Sequence, residues 1–461
     1  MAERKLRFAH ALLPQGWAND VAVAVSPEGL IAAVTANETD ELGPTIAGFA
    51  VPGMANVHAH AHQRAMAGLA EISSTGTDSF WTWRETMYRF ALAMEPAELE
   101  AVAAQLYMEA LLAGFTSVGE FQYLHHAPDG SRYGRPAEMS LRCLSAAATT
   151  GIAITLLPTF YRYAGLKNQP AAASQRRFVN DAASYLGILH DVQTEVLKQG
   201  NARLGISPHS LRAVAAEELR EVIEEFDRLQ PDGPVHIHAA EQSREVEECL
   251  AATGKRPIEF LLGNFEVSER WCIIHATHMT ESETGELARS GAIAGLCPTT
   301  EANLGDGIFN AREFLEEGGM IAVGSDSNIS VSVAEELRQL EYSQRLRLQA
   351  RNVLAGGPNR STGRTLFNAA ATGGARALGQ PQGAIAAGLR SDIVVLNQQQ
   401  GALIGRTGDN VLDSWIFSGG NACVSDVFVA GEHLVRQGQH IDGPNITARY
   451  RKALESLKAK L

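Results

Sequence analysis

Two histidines separated by one residue, His58 and His60, are the first side chains whose type and spacing could do chemistry. They end an apolar run that begins near Ile46 and is typical of a buried strand. Alternate side chains of a strand share a face, so both imidazoles point the same way and could hold one metal ion. An HxH pair alone is weak evidence, because short motifs arise by accident. The alternative is two polar residues where a strand meets a loop.

Similar polar residues end several other strands predicted between residues 57 and 327. The strand candidates are Val57–His60, Thr116–Phe121, Ile152–Phe160, Ala202–His209, Val235–Glu241, Trp271–His278, Ile293–Asn303 and Ile321–Ser327. Segments with helical spacing, such as Pro96–Ala113 and Ala216–Leu229, separate most of them, which predicts a parallel sheet covered on both faces. Eight such units predict an α/β fold of the (β/α)8 TIM-barrel type, with its active face at the strand C-termini.

The predicted metal ligands are strand-end residues. They are His58, His60, His238 and Asp326. Nitrogen and oxygen ligands with room for water suit one divalent ion per subunit, and Zn²⁺ is the preferred ion. His236 is the rival of His238, which we prefer because it lies nearer the strand end. A second ion is not expected, because strand four ends in Ser207-Pro208-His209 without a lysine that could bridge two metals.

Three residues near these ligands are predicted to be catalytic. A bound ion can lower the pKa of its water to about 7, and a carboxylate must then move the proton. Glu241 is our choice of shuttle, although an acid could also simply favour the start of a helix at Ser243. Asp326 can orient the water, and His275 can polarise the developing tetrahedral centre. His278 is either a supporting or a structural residue.

The two ends of the chain predict a second domain. Val21–Val25 and Leu30–Val34 flank a Pro- and Gly-containing turn, and short strands with Gly turns return after residue 381. We expect residues 1–53 and 381–461 to form a small β-sandwich and residues 54–380 to form the barrel. The segment His62–Arg89 fits no single regular element and is predicted to be a long functional loop.

Composition limits the partners. The formal charge of −13 argues against nucleic acid or an anionic membrane, and no apolar run approaches the roughly 18 residues of a membrane span. An anionic substrate would need locally placed arginines. Five scattered cysteines without a CxxC pair make a disulfide framework unlikely and predict a reducing cytoplasm.

The strand-end motifs resemble the metal-dependent amidohydrolase superfamily in its mononuclear deaminase branch. They are VHAHAH at 57–62, HIHAAE at 236–241, HATH at 275–278 and GSDS at 324–327. Longer blocks at 62–71, 78–85, 209–214, 295–309 and 335–347 are similar to the formimidoylglutamate deiminases of that superfamily. This resemblance implies hydrolysis of N-formimino-L-glutamate to N-formyl-L-glutamate and ammonia in histidine degradation, by a homodimer. Two positions depart from the pattern: His62 replaces an apolar aromatic residue, and Asn328 replaces a histidine.

The implied substrate carries two carboxylates, for which bidentate arginine is the best partner. Arg84 and Arg212 are predicted to bind them, unless they are ordinary solvated charges. Gln63, Tyr123 and His209 are further candidates on the same rim. A ring substrate such as guanine or a triazine would instead need stacking aromatics and amide contacts. A non-catalytic binding barrel would hold no stoichiometric metal.

Overall fold

The computed structural model describes residues 4–38, 44–73, 80–356 and 360–461. The strands are β1 (Arg4–Leu13), β2 (Gly16–Val25), β3 (Ile31–Thr35), β4 (Ile46–Pro52), β5 (Met54–Ala59), β6 (Phe115–Gln122), β7 (Ala153–Phe160), β8 (Ala202–Leu204), β9 (Ser207–Pro208), β10 (Val235–Ala239), β11 (Trp271–His275), β12 (Ile293–Leu296), β13 (Met320–Val323), β14 (Ile393–Leu396), β15 (Val424–Val429), β16 (Glu432–Arg436) and β17 (Gln439–His440).

Helices follow most of the central strands. The helices are α1 (Phe80–Ala93), α2 (Pro96–Leu112), α3 (Glu138–Thr150), α4 (Ala182–Val196), α5 (Ala216–Leu229), α6 (Ser243–Thr253), α7 (Pro257–Asn264), α8 (Glu281–Ser290), α9 (Pro298–Leu304), α10 (Ala311–Glu316), α11 (Val333–Leu348), α12 (Thr362–Ala377), α13 (Asn410–Ser414) and α14 (Gly443–Lys460). No helix among the described residues combines the length and apolar character needed to cross a membrane.

The central strands form two parallel sheets, one in the order β5-β6-β7-β8 with β9 beside β7, the other in the order β10-β11-β12-β13. Every residue of β6 and β7 is buried, as expected for strands covered on both faces. Isolated bridges join the sheets at both edges, Ala59 with Asp326 and Ser210 with His238. The prediction of an α/β fold with parallel strands is confirmed, whereas continuous ladders do not close these strands into one barrel.

Several predicted strands end earlier than expected, and two of them differ most from the prediction. The segment predicted as Ala202–His209 is interrupted and forms β8 and β9. The segment predicted as Ile293–Asn303 leaves the sheet after Leu296, because Pro298 occupies the first turn of α9, where a missing N–H costs nothing.

The prediction of an irregular loop over His62–Arg89 is wrong for part of its length. A 3-10 turn covers Ala61–Met66, and α1 begins at Phe80. Helix α1 buries Met87, Phe90 and Ala91 at three- and four-residue steps. Partly buried aromatic residues between them hide this spacing in the sequence. Residues 74–79, which include the start of the block at 78–85, lie outside the described residues.

The chain ends pair as predicted, but in a single sheet. Its order is β17-β16-β15-β14-β4-β1-β2-β3, and β14 runs antiparallel to β4 with Ile393 opposite Pro52. A separate apolar cluster that includes Phe8, Val23 and Phe428 packs on it. Two stacked layers are therefore not confirmed. The first strand expected after residue 381, over residues 383–388, does not form, because that segment consists of bends and turns.

Candidate active site

The four predicted ligands converge at the carboxyl ends of the parallel strands. His58 lies in β5, His60 directly follows it, His238 lies in β10, and Asp326 follows β13. Their ligand atoms all lie within 4.8 Å of one another, and all four side chains are buried. Asp326 Oδ1 lies 3.3 Å from both His58 Nε2 and His60 Nε2, and His58 Nε2 lies 3.1 Å from His238 Nε2.

The geometry and protonation of these residues fit a divalent metal ion. His60 Nδ1 donates to the Phe121 carbonyl at 2.9 Å and His238 Nδ1 donates to the His209 carbonyl at 2.8 Å, which leaves each Nε2 lone pair facing the centre. Tetrahedral ligands at about 2.0–2.1 Å from zinc stand about 3.3 Å apart, close to the observed separations. Burial lowers the pKa of His58 to about 3 and that of His238 well below its usual range, so both are neutral, as ligands must be.

The rival ligand His236 does not join the cluster. It lies two residues earlier on β10, about 6.6 Å along the strand. Its Nε2 donates to the Ala377 carbonyl at 2.8 Å, at the end of α12. His236 is therefore bound to the backbone below the site, and His238 is the residue that reaches the centre.

His275 lies between three carboxylates. Its Nε2 is 3.8 Å from Glu241 Oε1 and from Asp326 Oδ2, and its Nδ1 is 3.2 Å from Glu301 Oε1. Burial opposes its charge, but Glu241, Glu301 and Asp326 raise the pKa of His275 to about 10. Burial raises the pKa of Glu241 to about 7. Three carboxylates thus favour the protonated form of His275, and burial favours the protonated form of Glu241, beside the candidate metal ligands.

The backbone at this rim is held in an uncommon conformation. His275 has φ +69°, Ala276 +50° and Asp326 +43°, all in the left-handed region that disfavours residues with a Cβ. Such strain persists where surrounding structure fixes it, and it clusters at functional sites. Two hydrogen bonds from the Ala240 and Glu241 amides to the Glu245 carboxylate, 3.1 and 3.0 Å long, fix the turn after β10.

Several polar residues of this rim are not among the predicted site residues. Glu301 receives the His275 bond and accepts from the Cys297 amide at 2.8 Å, but the sequence placed it in a strand. Asp306 accepts from Gln242, and burial and the neighbouring Glu241 raise its pKa to about 9. The block at 295–309 contains both acids and was the available signal. His278 donates to the Asp306 carbonyl at 2.8 Å, a structural contact.

All five predicted substrate-binding residues line one cavity next to the ligands. They are Gln63, Arg84, Tyr123, His209 and Arg212. Glu241, His275 and Asp326 line the same cavity. Gln63 Nε2 donates to the Tyr123 hydroxyl at 2.9 Å. Burial, together with the charges of Arg212 and Arg84, holds the pKa of His209 well below its usual range, so it is neutral.

Both cavity arginines lack a carboxylate partner among the described residues. Arg212 is 9 % exposed, and its buried Nε has no hydrogen-bond partner there. Its guanidinium lies 5.9 Å from the Trp81 ring, and that of Arg84 lies 5.0 Å from the Tyr88 ring. A buried cation such as Arg212 is costly unless an anion balances it, and Glu245 and Glu241 act on it only from beyond ion-pair distance. The cavity is therefore electrostatically prepared for an anionic ligand.

His62 and Asn328, the two departures from the family pattern, each have a structural role beside the candidate ligands. His62 is buried with neither ring nitrogen hydrogen-bonded to a described residue, and its ring meets the Tyr123 ring edge-on at 4.9 Å. It thus packs as the apolar aromatic that it replaces. Asn328 donates to the His60 carbonyl at 2.9 Å and accepts from Ser325 Oγ at 2.7 Å, so it fixes the backbone of a ligand.

Comparisons with known proteins agree with this geometry. The amidohydrolase family model matches residues 49–434. Formimidoylglutamate deiminase from Pseudomonas aeruginosa is 48% identical over 430 residues, with 93% of this chain and 94% of that protein covered. An amidohydrolase structure from Brucella melitensis has 47% identity and a TM-score of 0.93, covering 99% and 100% of the two chains. A zinc-bound adenosine deaminase structure from Xanthomonas campestris, 21% identical with a TM-score of 0.81 and coverages of 99% and 98%, shares the fold. The chain therefore belongs to the amidohydrolase family.

Proposed function

We propose that this protein hydrolyses N-formimino-L-glutamate to N-formyl-L-glutamate and ammonia in histidine degradation. The relative that is 48% identical carries the corresponding name, and the two chains align over nearly their full lengths. The observation that carries the proposal is the pair Arg84 and Arg212, which face the cavity without a described carboxylate partner. The substrate has one carboxylate for each guanidinium, and its amidine C–N bond suits the hydrolytic chemistry of the family.

A divalent ion held by His58, His60, His238 and Asp326 would supply a water molecule of lowered pKa, near 7, and Zn²⁺ suits the donor set. Glu241 takes one proton of the water as its oxygen adds to the formimino carbon, and passes this proton to the terminal nitrogen. Asp326 accepts the second proton from the hydroxyl group of the tetrahedral intermediate. That proton also passes to the terminal nitrogen, the C=O bond forms as the C–N bond breaks, and ammonia leaves. A group with a pKa of about 7 performs both transfers well at neutral pH. His275, held as a cation by its carboxylates, stabilises the developing tetrahedral centre.

Substrate orientation follows from the cavity walls. Arg84 and Arg212 each bind one carboxylate, and Gln63, Tyr123 and His209 supply neutral polar contacts. A guanine or triazine ring would leave both guanidiniums without an anion. Aromatic residues such as Phe80 and Trp83 also line the cavity, so it is the two unpaired positive charges that favour the linear dicarboxylate over the ring.

The architecture around the site extends the proposal. We infer that the two parallel sheets act as one barrel over residues 54–380, with residues 1–53 and 381–461 as the second domain. Backbone bonds between the sheets support this, from Asp326 N to the His58 carbonyl at 2.9 Å and from His238 N to the His209 carbonyl at 3.1 Å. A cytoplasmic homodimer remains our prediction.

Replacing either cavity arginine tests the substrate. Arg84→Ala or Arg212→Ala should raise the KM for N-formimino-L-glutamate about tenfold to a hundredfold, because each loses a hydrogen-bonded charge pair. Metal content should stay at one ion per chain. Arg228→Ala, on the exposed face of α5, is the matched control and should change neither value. Unchanged kinetics in either cavity variant would show that this arginine binds no carboxylate.

A further inference from the structure

Two cavity tyrosines, Tyr88 and Tyr161, lie beside Arg84 and have no part in the chemistry described so far. We propose that both donate their hydroxyl hydrogens to a substrate carboxylate, and that Gln175, behind the cavity wall, fixes that direction. The inference rests on the proposed function, because it concerns how the same dicarboxylate is recognised.

Gln175 is held so that its nitrogen must face the tyrosines. The side chain is 3 % exposed, and its Oε1 accepts the Ala172 amide hydrogen at 2.8 Å, which identifies the oxygen end of the side chain. Its Nε2 lies 2.7 Å from the Tyr161 hydroxyl and 3.3 Å from the Tyr88 hydroxyl. An amide nitrogen only donates, so both phenol oxygens act as acceptors towards Gln175.

The Tyr161 hydroxyl has a second donor as its neighbour. Arg84 Nη2 lies 3.4 Å from the same oxygen. A phenol has one hydrogen to give, and both partners that the described residues offer to this oxygen are donors. The hydrogen of Tyr161 therefore remains available on the cavity side. Leaving a buried donor unused costs free energy, so the arrangement calls for an acceptor supplied by a ligand.

Tyr88 completes the arrangement from α1. Burial raises its pKa, so the hydroxyl stays protonated and remains a donor. Its ring also lies under the Arg84 guanidinium at 5.0 Å. This corner of the cavity thus presents one guanidinium and two phenol hydroxyls, and all of them donate. Only a group that accepts at every position satisfies such a corner, which selects a carboxylate over a neutral amide of the same shape.

The test compares the dicarboxylate with its two monoamides. The unaltered protein should discriminate strongly against the monoamide that replaces the carboxylate held here. Tyr161→Phe and Tyr88→Phe should each raise KM for N-formimino-L-glutamate about tenfold, with kcat within about threefold, and should shrink that discrimination. Gln175→Met, which removes the donor that fixes both phenols, should shrink it as well. If Tyr88, Tyr161 and Gln175 had only a structural role, the substitutions would lower thermal stability without changing the preference for the dicarboxylate over the monoamide.

Controls separate this inference from the function on which it rests. Tyr163→Phe alters a tyrosine that does not line the cavity and should leave KM and discrimination unchanged. Calorimetric titration with glutarate, which needs no turnover, should show weaker binding to the Tyr161→Phe and Gln175→Met variants. If the unaltered protein releases no ammonia from formiminoglutamate, the proposed function fails. If it does, and Tyr161→Phe keeps normal KM, discrimination and glutarate affinity, the inference alone is overturned.

Discussion

Glu241 can both take and release a proton near neutral pH, because burial raises its pKa to about 7 while it lies 3.8 Å from His275. Glu241→Gln should lower kcat by about 10²–10⁴-fold, the usual contribution of a positioned acid–base group. It should retain metal, because Glu241 lies outside the ligand cluster. Ammonia release and metal analysis on the same preparation check both expectations. Glu247→Gln, on the exposed face of α6, is the control, and normal turnover in Glu241→Gln would exclude the shuttle role.

The cluster of candidate ligands was predictable from sequence because strand alternation and strand ends are local features. His58, His60 and Asp326 each follow or end an apolar run, and the structure brings them together. Glu301 was not predictable, because it reaches His275 only after Pro298 turns the chain into α9. Gln175 was not predictable either, because it lies in a short 3-10 turn without periodicity. Its role as a hydrogen-bond donor depends on two tyrosines that are distant in sequence.

At the scale of elements, β6 fixes the turn that carries His60. Glu120 of β6 is fully buried, accepts the Ala61 amide hydrogen at 2.9 Å and accepts from the Tyr107 hydroxyl at 3.1 Å. Burial raises its pKa from 4.5 to about 8. The folded state therefore holds this proton more tightly than the unfolded chain does. The stability that this provides is complete below pH 4.5 and disappears as the pH rises through 8.

Glu120→Gln removes this titration. The amide oxygen still accepts from Ala61, and the Tyr107 hydroxyl, which donates to Glu120, turns to accept from the amide nitrogen. The variant should be more stable than the unaltered protein at pH 8–9, by an amount on the order of a few kcal/mol, since each pKa unit corresponds to about 1.4 kcal/mol. The advantage should vanish below pH 4.5. Urea unfolding across this pH range measures it. A constant difference between the two proteins at every pH would show that Glu120 does not titrate in this way.

The predicted strands and helices agree with the structure where one sequence pattern dominates. Continuous apolar runs predicted β6 and β7, and regular spacing of Leu219, Val222 and Phe226 predicted α5. Helix α1 escaped, because Phe80, Trp81 and Trp83 disfavour a helix locally and its packing residues form a narrow stripe. Tertiary contacts decide whether such segments become helical, and the sequence pattern alone does not show those contacts.

At the scale of the whole molecule, the two chain ends are joined through β4 and β14, and an ion pair supports the junction. Arg390 and Asp392 are buried and lie 2.7 Å apart, and Asp392 also accepts from the Ala430 amide at 3.0 Å. The pairing of distant segments was predictable from the return of strand patterns after residue 381. The single sheet was not, because register and layer number depend on long-range hydrogen bonds.

The cysteines give a test of the whole fold. All five are buried and free, and burial raises the pKa of Cys272 above the usual range and that of Cys249 to about 11. Buried thiols react slowly because the thiolate is the reactive form. An aromatic disulfide reagent should titrate almost no thiol in the native protein and five after denaturation. Fewer than five in denaturant without reductant would reveal disulfides that the structure lacks.

The most direct test of the account is ammonia release from N-formimino-L-glutamate by the zinc-loaded protein. We expect one ammonia and one N-formyl-L-glutamate for each substrate molecule consumed, with activity lost on chelation and restored by metal. Ammonia release from guanine together with none from formiminoglutamate would contradict it.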